Sequence, residues 1–328
     1  MARVAVIGPA RPLVQPVLHR LLDRPATNDA IATDSVDGAE VVVHVAGADP
    51  ELWFRDADAA ADATVNRTRQ VLDEAAAAHV RSLVHISSAA VYGAWPDNPV
   101  PLSEDAPLRP NRGFAYARAH AESERLVAEW VDEHDDVAVA VLRPAIVMRG
   151  DGPSLLARAV GALRSPRAVE AGRPLQFVHA DDVAGAVALA VDNRLSGVYN
   201  VAPDGWVPDE TARALAGGLA RVPLPGWIAR PLARLSWRVT RRGMPAEAEP
   251  WTMHPWVVAN DRLRALGWEP AYTNEEAFVA ASPPSRLAAL VARRRQEVTL
   301  AAAGVSVTSV IATVVVIIRR RRRRTKLD

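Results

Sequence analysis

The chain has 328 residues, no cysteine, and 39 basic against 38 acidic side chains. Its length suffices to bury a full core and exceeds one small domain, and the missing cysteine excludes disulfides, a cysteine nucleophile and thiolate metal sites. The charge balance hides an asymmetry: the last ten residues hold six arginines and a lysine against one aspartate, leaving 32 basic and 37 acidic residues in the other 318. That mildly acidic body shows no basic face interleaved with aromatics, so no nucleic acid partner is expected. In chain order, Val4–Gly8 is a short apolar run ended by Pro9, too short for a signal peptide and suited to a first buried strand. Leu13–Leu22 reads as a helix weakened by Pro16, and Asp29–Thr33 as one short strand at most. Glu40–Ala46 is a strand and 58–79 a long Ala-rich helix. Ser82–Ser87 is a strand, Ala115–Glu133 a helix and Val137–Val147 a strand. Residues 184–191 form a helix with Asp181 or Asp182 as its N-cap, followed by a strand at Gly197–Val201. Val, Ile and Leu run together without strict alternation, which suggests strands covered on both faces. Their alternation with helices predicts an α/β, doubly wound parallel sheet.

Two stretches carry chemistry. Ser87-Ser88-Ala89-Ala90-Val91-Tyr92-Gly93 follows an apolar strand, and Tyr116-Ala117-Arg118-Ala119-His120 follows further on. Together they resemble the serine and tyrosine elements of an extended short-chain dehydrogenase/reductase, of the NAD-dependent epimerase/dehydratase kind. The resemblance covers roughly residues 1–280. It implies a Rossmann-type domain over 1–205, a smaller substrate-domain segment over 206–284, and NAD or NADP as cofactor. That second segment holds six of the nine tryptophans.

By the same resemblance, Ser88 binds the reacting oxygen of a small-molecule substrate and Tyr116 is the general acid/base. The family places lysine four residues after the tyrosine, where it lowers the phenol pKa; here that residue is His120. The i+4 spacing keeps His120 on the same helix face. An imidazole titrates near 6.5, so it supplies little charge at pH 7, and weaker activation of Tyr116 follows. Asn66 matches a helix asparagine that braces the site. His44 and Ala46 match the strand end lining the adenine or ribose pocket. Arg143 and Pro144 match the strand and loop that reach the nicotinamide and substrate. His179–Val183 and Asn260–Trp268 resemble structural segments of the family, with Gly267 at a helix C-terminus.

The cofactor loop departs from the family. In Gly8-Pro9-Ala10-Arg11-Pro12-Leu13-Val14 only Gly8 matches, with Arg11 and Val14 in the second and third glycine positions. Glycines there let the backbone approach a pyrophosphate. Two readings compete: Arg11 contacts phosphate by charge, or the site is empty. Asp29 or Asp34 would be the acidic residue on the ribose. The short span between Gly8 and His44 implies a sheet that has lost an element on the adenosine side. No histidine pair has a zinc spacing, so no metal is expected.

The remainder points to a membrane. Arg230, Arg234, Arg238 and Arg241 share a helical face in 227–242, which reads more simply as a solvated face than as a lipid or phosphate surface. Residues 285–297 are a basic juxtamembrane stretch. Val298–Ile318 carries no charged residue; as a helix it would span roughly 31 Å, enough for a bilayer core. The positive-inside rule would keep the polybasic tail 319–328 in the cytosol, and a single span would then put the main domain outside. A body without a signal sequence and with a nicotinamide fold belongs in the cytosol, so either the short tail crosses despite its charge or the segment does not span simply. The expectation is a C-terminal single-pass anchor with the main domain cytoplasmic, held against the inner face. Family members often dimerise through paired helices, which would be 58–79 and 115–133 here. Two functions stand: an atypical NAD(P)-dependent epimerase, dehydratase or dehydrogenase acting on a nucleotide sugar or a hydrophobic alcohol or ketone, and a non-catalytic scaffold or ligand-binding protein at the membrane.

Overall fold

Val4–Ile7 (β1), Val41–Val45 (β3) and Ser82–Ile86 (β4) are buried along their whole length. Strands with no solvent face need a layer of helix on each side. They form the centre of a six-stranded parallel sheet with Ala30–Ala32 (β2), Ala138–Pro144 (β5) and Gly197–Val201 (β9), in the order β2-β1-β3-β4-β5-β9. The computed structural model describes residues 3–9, 13–27, 29–149, 156, 174–215 and 250–280. Arg11, the Gly150–Pro153 turn, the cationic stretch 227–242 and everything from 285 onward lie outside them. Among the described residues no helix is long and apolar enough to cross a membrane.

Gln15–Leu22 (α1) packs on Ala180–Asn193 (α5) over one face, around Val17, Leu21, Val43, Val84, Leu142 and Val187. Ala57–Ala77 (α3) packs on Ala115–Glu133 (α4) over the other, around Val42, Val71, Leu83, Val127 and Val139. Chain order reverses between β1 and β3, so a crevice opens at their C-terminal ends, where open α/β sheets bind ligands. Among the described residues only β2 lies outboard of β1, where the usual order has two strands, in line with the short span read from the sequence.

Several local expectations meet a physical outcome. Pro16 sits in the first turn of α1, where its missing N–H costs no helical bond. The expected strand Val137–Val147 is two strands, because Ala145 leaves the main sheet. Its N–H still bonds the Val201 carbonyl at 3.0 Å, while Ile146 starts β6 (Ile146–Met148), which pairs with β8 (Phe177–His179). The N-cap of α5 is His179, accepting from the Asp181 N–H at 3.3 Å, and neither Asp181 nor Asp182. Asp182 turns instead to the chain returning at 271–272, accepting from the amides of Ala271 and Tyr272 at 2.7 and 3.3 Å.

The smaller part adds β7 (Pro174–Leu175), antiparallel to β10 (Val207–Pro208), and four short helices: α6 (Asp209–Leu215), α7 (Pro250–Met253), α8 (Asp261–Ala265) and α9 (Asn274–Ala280). After α8, Gly267 takes φ +87°; its N–H bonds the Arg264 carbonyl and that of Trp268 bonds Leu263. This is the pair of bonds that closes a helix through a left-handed residue, as the Leu-Gly-Trp run implied. Gln176 ties the part to its neighbours, accepting from the Val258 N–H at 2.9 Å and donating to the Val258 and Gly205 carbonyls.

Candidate active site

The crevice is built first from the segment after β4. Ser88 is extended and caps the short 3-10 turn Ala89–Tyr92, accepting from the Ala90 N–H at 3.2 Å. Gly93 ends the turn at φ +72°, and a Cβ there would run into the Arg109 carbonyl, so the motif closes on glycine for backbone reasons. Ser87 and Ser88 thereby face the crevice. The Ser87 hydroxyl is buried without a hydrogen-bond partner among the described residues, an open donor and acceptor on the crevice wall.

Tyr116 lies in the first turn of α4 and lines the crevice beside Ser88. Trp53 stands edge-on to its ring at 5.3 Å between centroids, and Phe114 lies at 5.8 Å. Trp53 arrives on a short helix, Pro50–Arg55 (α2), capped by Asp49, which accepts from the Glu51 N–H at 2.8 Å. Burial pushes the Tyr116 phenol up to about 12, against a smaller downward pull from the Ser88 side chain. At neutral pH it holds its proton.

His120 sits one turn further, with its ring 4.4 Å from that of Tyr116. It is fully buried, and neither ring nitrogen has a hydrogen-bond partner among the described residues. Burial lowers its pKa to about 4, so it is neutral and puts no charge beside the phenol. Behind it stand two more imidazoles. His44 and His85 pair across β3 and β4, with their Nδ1 atoms 3.1 Å apart. Burial, reinforced by the neighbouring Arg67, lowers His44 to about 3, and burial likewise lowers His85.

Three expected cofactor or bracing residues land elsewhere. His44 points away from the crevice: it lies in register with Ile7 and His85 on the face covered by α3 and α4. Asn66 is exposed and accepts from Arg69 at 3.1 Å. Thr64 and Thr68 hold the buried face of α3, and Asn66 lies about 200° around from each. Arg143 is buried in an ion pair with Glu124. Arg11 lies outside the described residues. Asp34 follows β2 and is exposed.

Ala46 and Pro144 do line the crevice, with Pro9, Leu13, Gly47, Trp53 and Ala145. Gly8 is required by the backbone: at φ +151° a Cβ would lie 2.5 Å from the Val45 carbonyl oxygen. The nicotinamide end of a dinucleotide fits what is present, namely an apolar slot ending in two serines and a phenol. At the pyrophosphate end, Pro9 offers no N–H and Leu13 and Val14 turn apolar side chains inward. Trp53 and Glu124 were not read from the sequence. Glu124 had a signal, since Tyr116, His120 and Glu124 follow one another at four-residue steps.

The model of the NAD dependent epimerase/dehydratase family matches residues 9–202. The chain is 33% identical over 280 residues to a Streptomyces protein named 3-diazoavenalumate denitrifying reductase, covering 76% of this chain and 84% of that one. It is 28% identical over 200 residues to an uncharacterized protein of Mycobacterium tuberculosis, spanning 61% of this chain and 53% of the relative. Among solved structures it resembles a UDP-galactose 4-epimerase (TM-score 0.61, 19% identity, 85% of this chain and 97% of that one). It also resembles a short-chain dehydrogenase/reductase superfamily protein of Agrobacterium tumefaciens solved with bound NAD (TM-score 0.62, 21% identity, 89% and 99%). At these identities the structural likeness carries the fold.

Proposed function

The chain belongs to the NAD dependent epimerase/dehydratase family, and from that premise we propose that it works as a reductase of a carbonyl-like group. One observation carries this reading: the phenol of Tyr116 is raised to about 12 and the imidazole beside it is neutral. An epimerase or dehydrogenase must first take a proton from an alcohol, which needs a phenolate at working pH. A reductase needs the opposite, a phenol that delivers its proton to the oxygen as charge develops there. Ser88 hydrogen-bonds the same oxygen. When bound, reduced NAD supplies the hydride to the carbon, so hydride and proton together convert C=O to CH–OH. Tyr116 recovers its proton from solvent.

Ser87, Pro144 and Ala145 would hold the nicotinamide end. Asp34 supports NAD over NADP, because a carboxylate accepts from a ribose hydroxyl and repels a phosphate. The apolar crevice wall and the indole of Trp53 support a hydrophobic, unsaturated ketone over a nucleotide sugar, whose hydroxyls need polar partners. The name of the Streptomyces relative agrees in reaction direction. We further propose division at residue 205, with a substrate segment over 206–284. Anchorage would run through 298–318, flanked by 285–297 and the tail 319–328, with the main domain cytoplasmic. A homodimer would form through α3 and α4.

A second reading, a non-catalytic protein that binds a ligand at the membrane, is favoured by one feature: the pyrophosphate end lacks glycine-borne amides. The test is calorimetric titration of the full chain with NADH and NADPH, then loss of dihydronicotinamide absorbance with conjugated ketones. Saturable NADH binding with turnover supports the reductase. A folded chain that binds neither nucleotide belongs to the second reading.

A further inference from the structure

A single buried guanidinium joins the three segments that carry the crevice chemistry. Arg143 is the penultimate residue of β5, one before Pro144, which lines the crevice. Its Nε donates to both Glu124 oxygens at 3.1 and 3.0 Å, and Nη2 donates to Oε2 at 2.6 Å. Nη1 donates to the Tyr92 hydroxyl at 2.7 Å and to the Glu104 carbonyl at 3.4 Å. Glu124 lies on α4 two turns beyond Tyr116, and Tyr92 closes the turn that Ser88 caps. The Tyr92 hydroxyl donates onward to Asn200 at 2.8 Å, and the Asn200 N–H donates to Glu104 at 2.9 Å. Both side chains of the ion pair are nearly inaccessible to water.

A buried ion pair is a poor source of stability, because desolvation offsets its attraction and a well-packed apolar pair often does as well. What a planar fork does supply is direction, since it accepts a carboxylate in only one plane. We propose that Glu124 and Arg143 are positioning residues that fix the roll and height of α4, and so hold the Tyr116 hydroxyl beside Ser88 in the crevice. This rests on the reading of Tyr116 as proton donor, but its test does not require turnover.

The full chain is labelled with 3-fluorotyrosine, and the Tyr116 resonance is assigned with Tyr116→Phe. Ser88→Ala then marks the fluorine shift of a phenol that has lost this neighbour. In Glu124→Gln, which keeps size but loses charge and the second charge-assisted bond, the Tyr116 resonance should move to the Ser88→Ala position. The double variant Glu124→Leu with Arg143→Met guards against a folding defect. It should melt near the wild-type temperature and still show the displaced Tyr116 resonance. If the Tyr116 line stays at its wild-type position in either folded variant while that of Tyr92 moves, the pair is structural only and the proposal is wrong. A wild-type chain with no NADH-dependent turnover sinks the reductase reading and leaves this result standing.

Discussion

The two ends of the crevice have diverged from the family pattern in different ways. The end built from β4 and α4 keeps its shape. Ser88 caps its turn, Tyr116 stands beside Ser88, and the helix behind them is fastened through Glu124 and Arg143. What changed there is charge, since His120 occupies the lysine position and is neutral. The end built from β1 and α1 has changed shape: Gly8 remains, and Pro9, Leu13 and Val14 put side chains where amides and glycines would be. Geometry and electrostatics are therefore separable inheritances. A site can keep atoms in place while losing the charge that would lower its phenol.

Tyr116→Phe attacks the end that kept its shape and should have the largest effect. Losing a positioned proton donor should cost roughly 10²–10⁴ in turnover, with NADH affinity unchanged by calorimetry. Next comes the cost of keeping that end uncharged. His44, His85 and His120 are neutral when folded, with pKa values below the unfolded 6.5. Their stabilising effect is complete above that value and is lost as pH falls. Each contributes a slope of at most about 1.4 kcal/mol per pH unit. Urea midpoints should therefore drop steeply from pH 6.5 towards 4, and His120→Gln should flatten that slope.

His120→Lys restores the missing charge. An adjacent cation lowers a phenol by about 1–3 units, so kcat/KM for alcohol oxidation at pH 8 should rise tenfold or more, and that for ketone reduction with it, since both directions cross one transition state. An unchanged oxidation rate in a folded variant would mean that the missing charge is not what limits the chemistry. The smallest effect belongs to the end that changed shape. If Arg11 replaces amides by charge, Arg11→Gly should weaken NADH binding several-fold in dilute buffer. That difference should shrink with added salt, as screened pairs do. Equal affinities in dilute buffer would remove Arg11 from the site.

The sequence made the sheet legible because its strands are uninterrupted Val and Ile runs, and made Ser88 and Tyr116 legible because their motif doubles as a turn requirement ending at Gly93. It misled where only rotation decides the outcome. Asn66 has the right neighbours in sequence and the wrong side of its helix. His44 alternates with Val43 and Val45 along β3 and falls on the face away from the crevice. Arg143 precedes Pro144 by one residue, and in a strand that single step reverses direction. Trp53 left no pattern at all, because a six-residue helix has too few turns to display periodicity.

The single strand outboard of β1 has a consequence for how nucleotide affinity is distributed. Ile31 on β2 is 46% exposed, and beyond it the sheet has no further strand among the described residues. An adenine laid on this side meets a ledge one strand wide, with solvent at its rim. Recognition then shifts toward the nicotinamide end, and nicotinamide mononucleotide should compete for the crevice far better than adenosine diphosphate. For this chain, half of the dinucleotide is handle and the other half is freight.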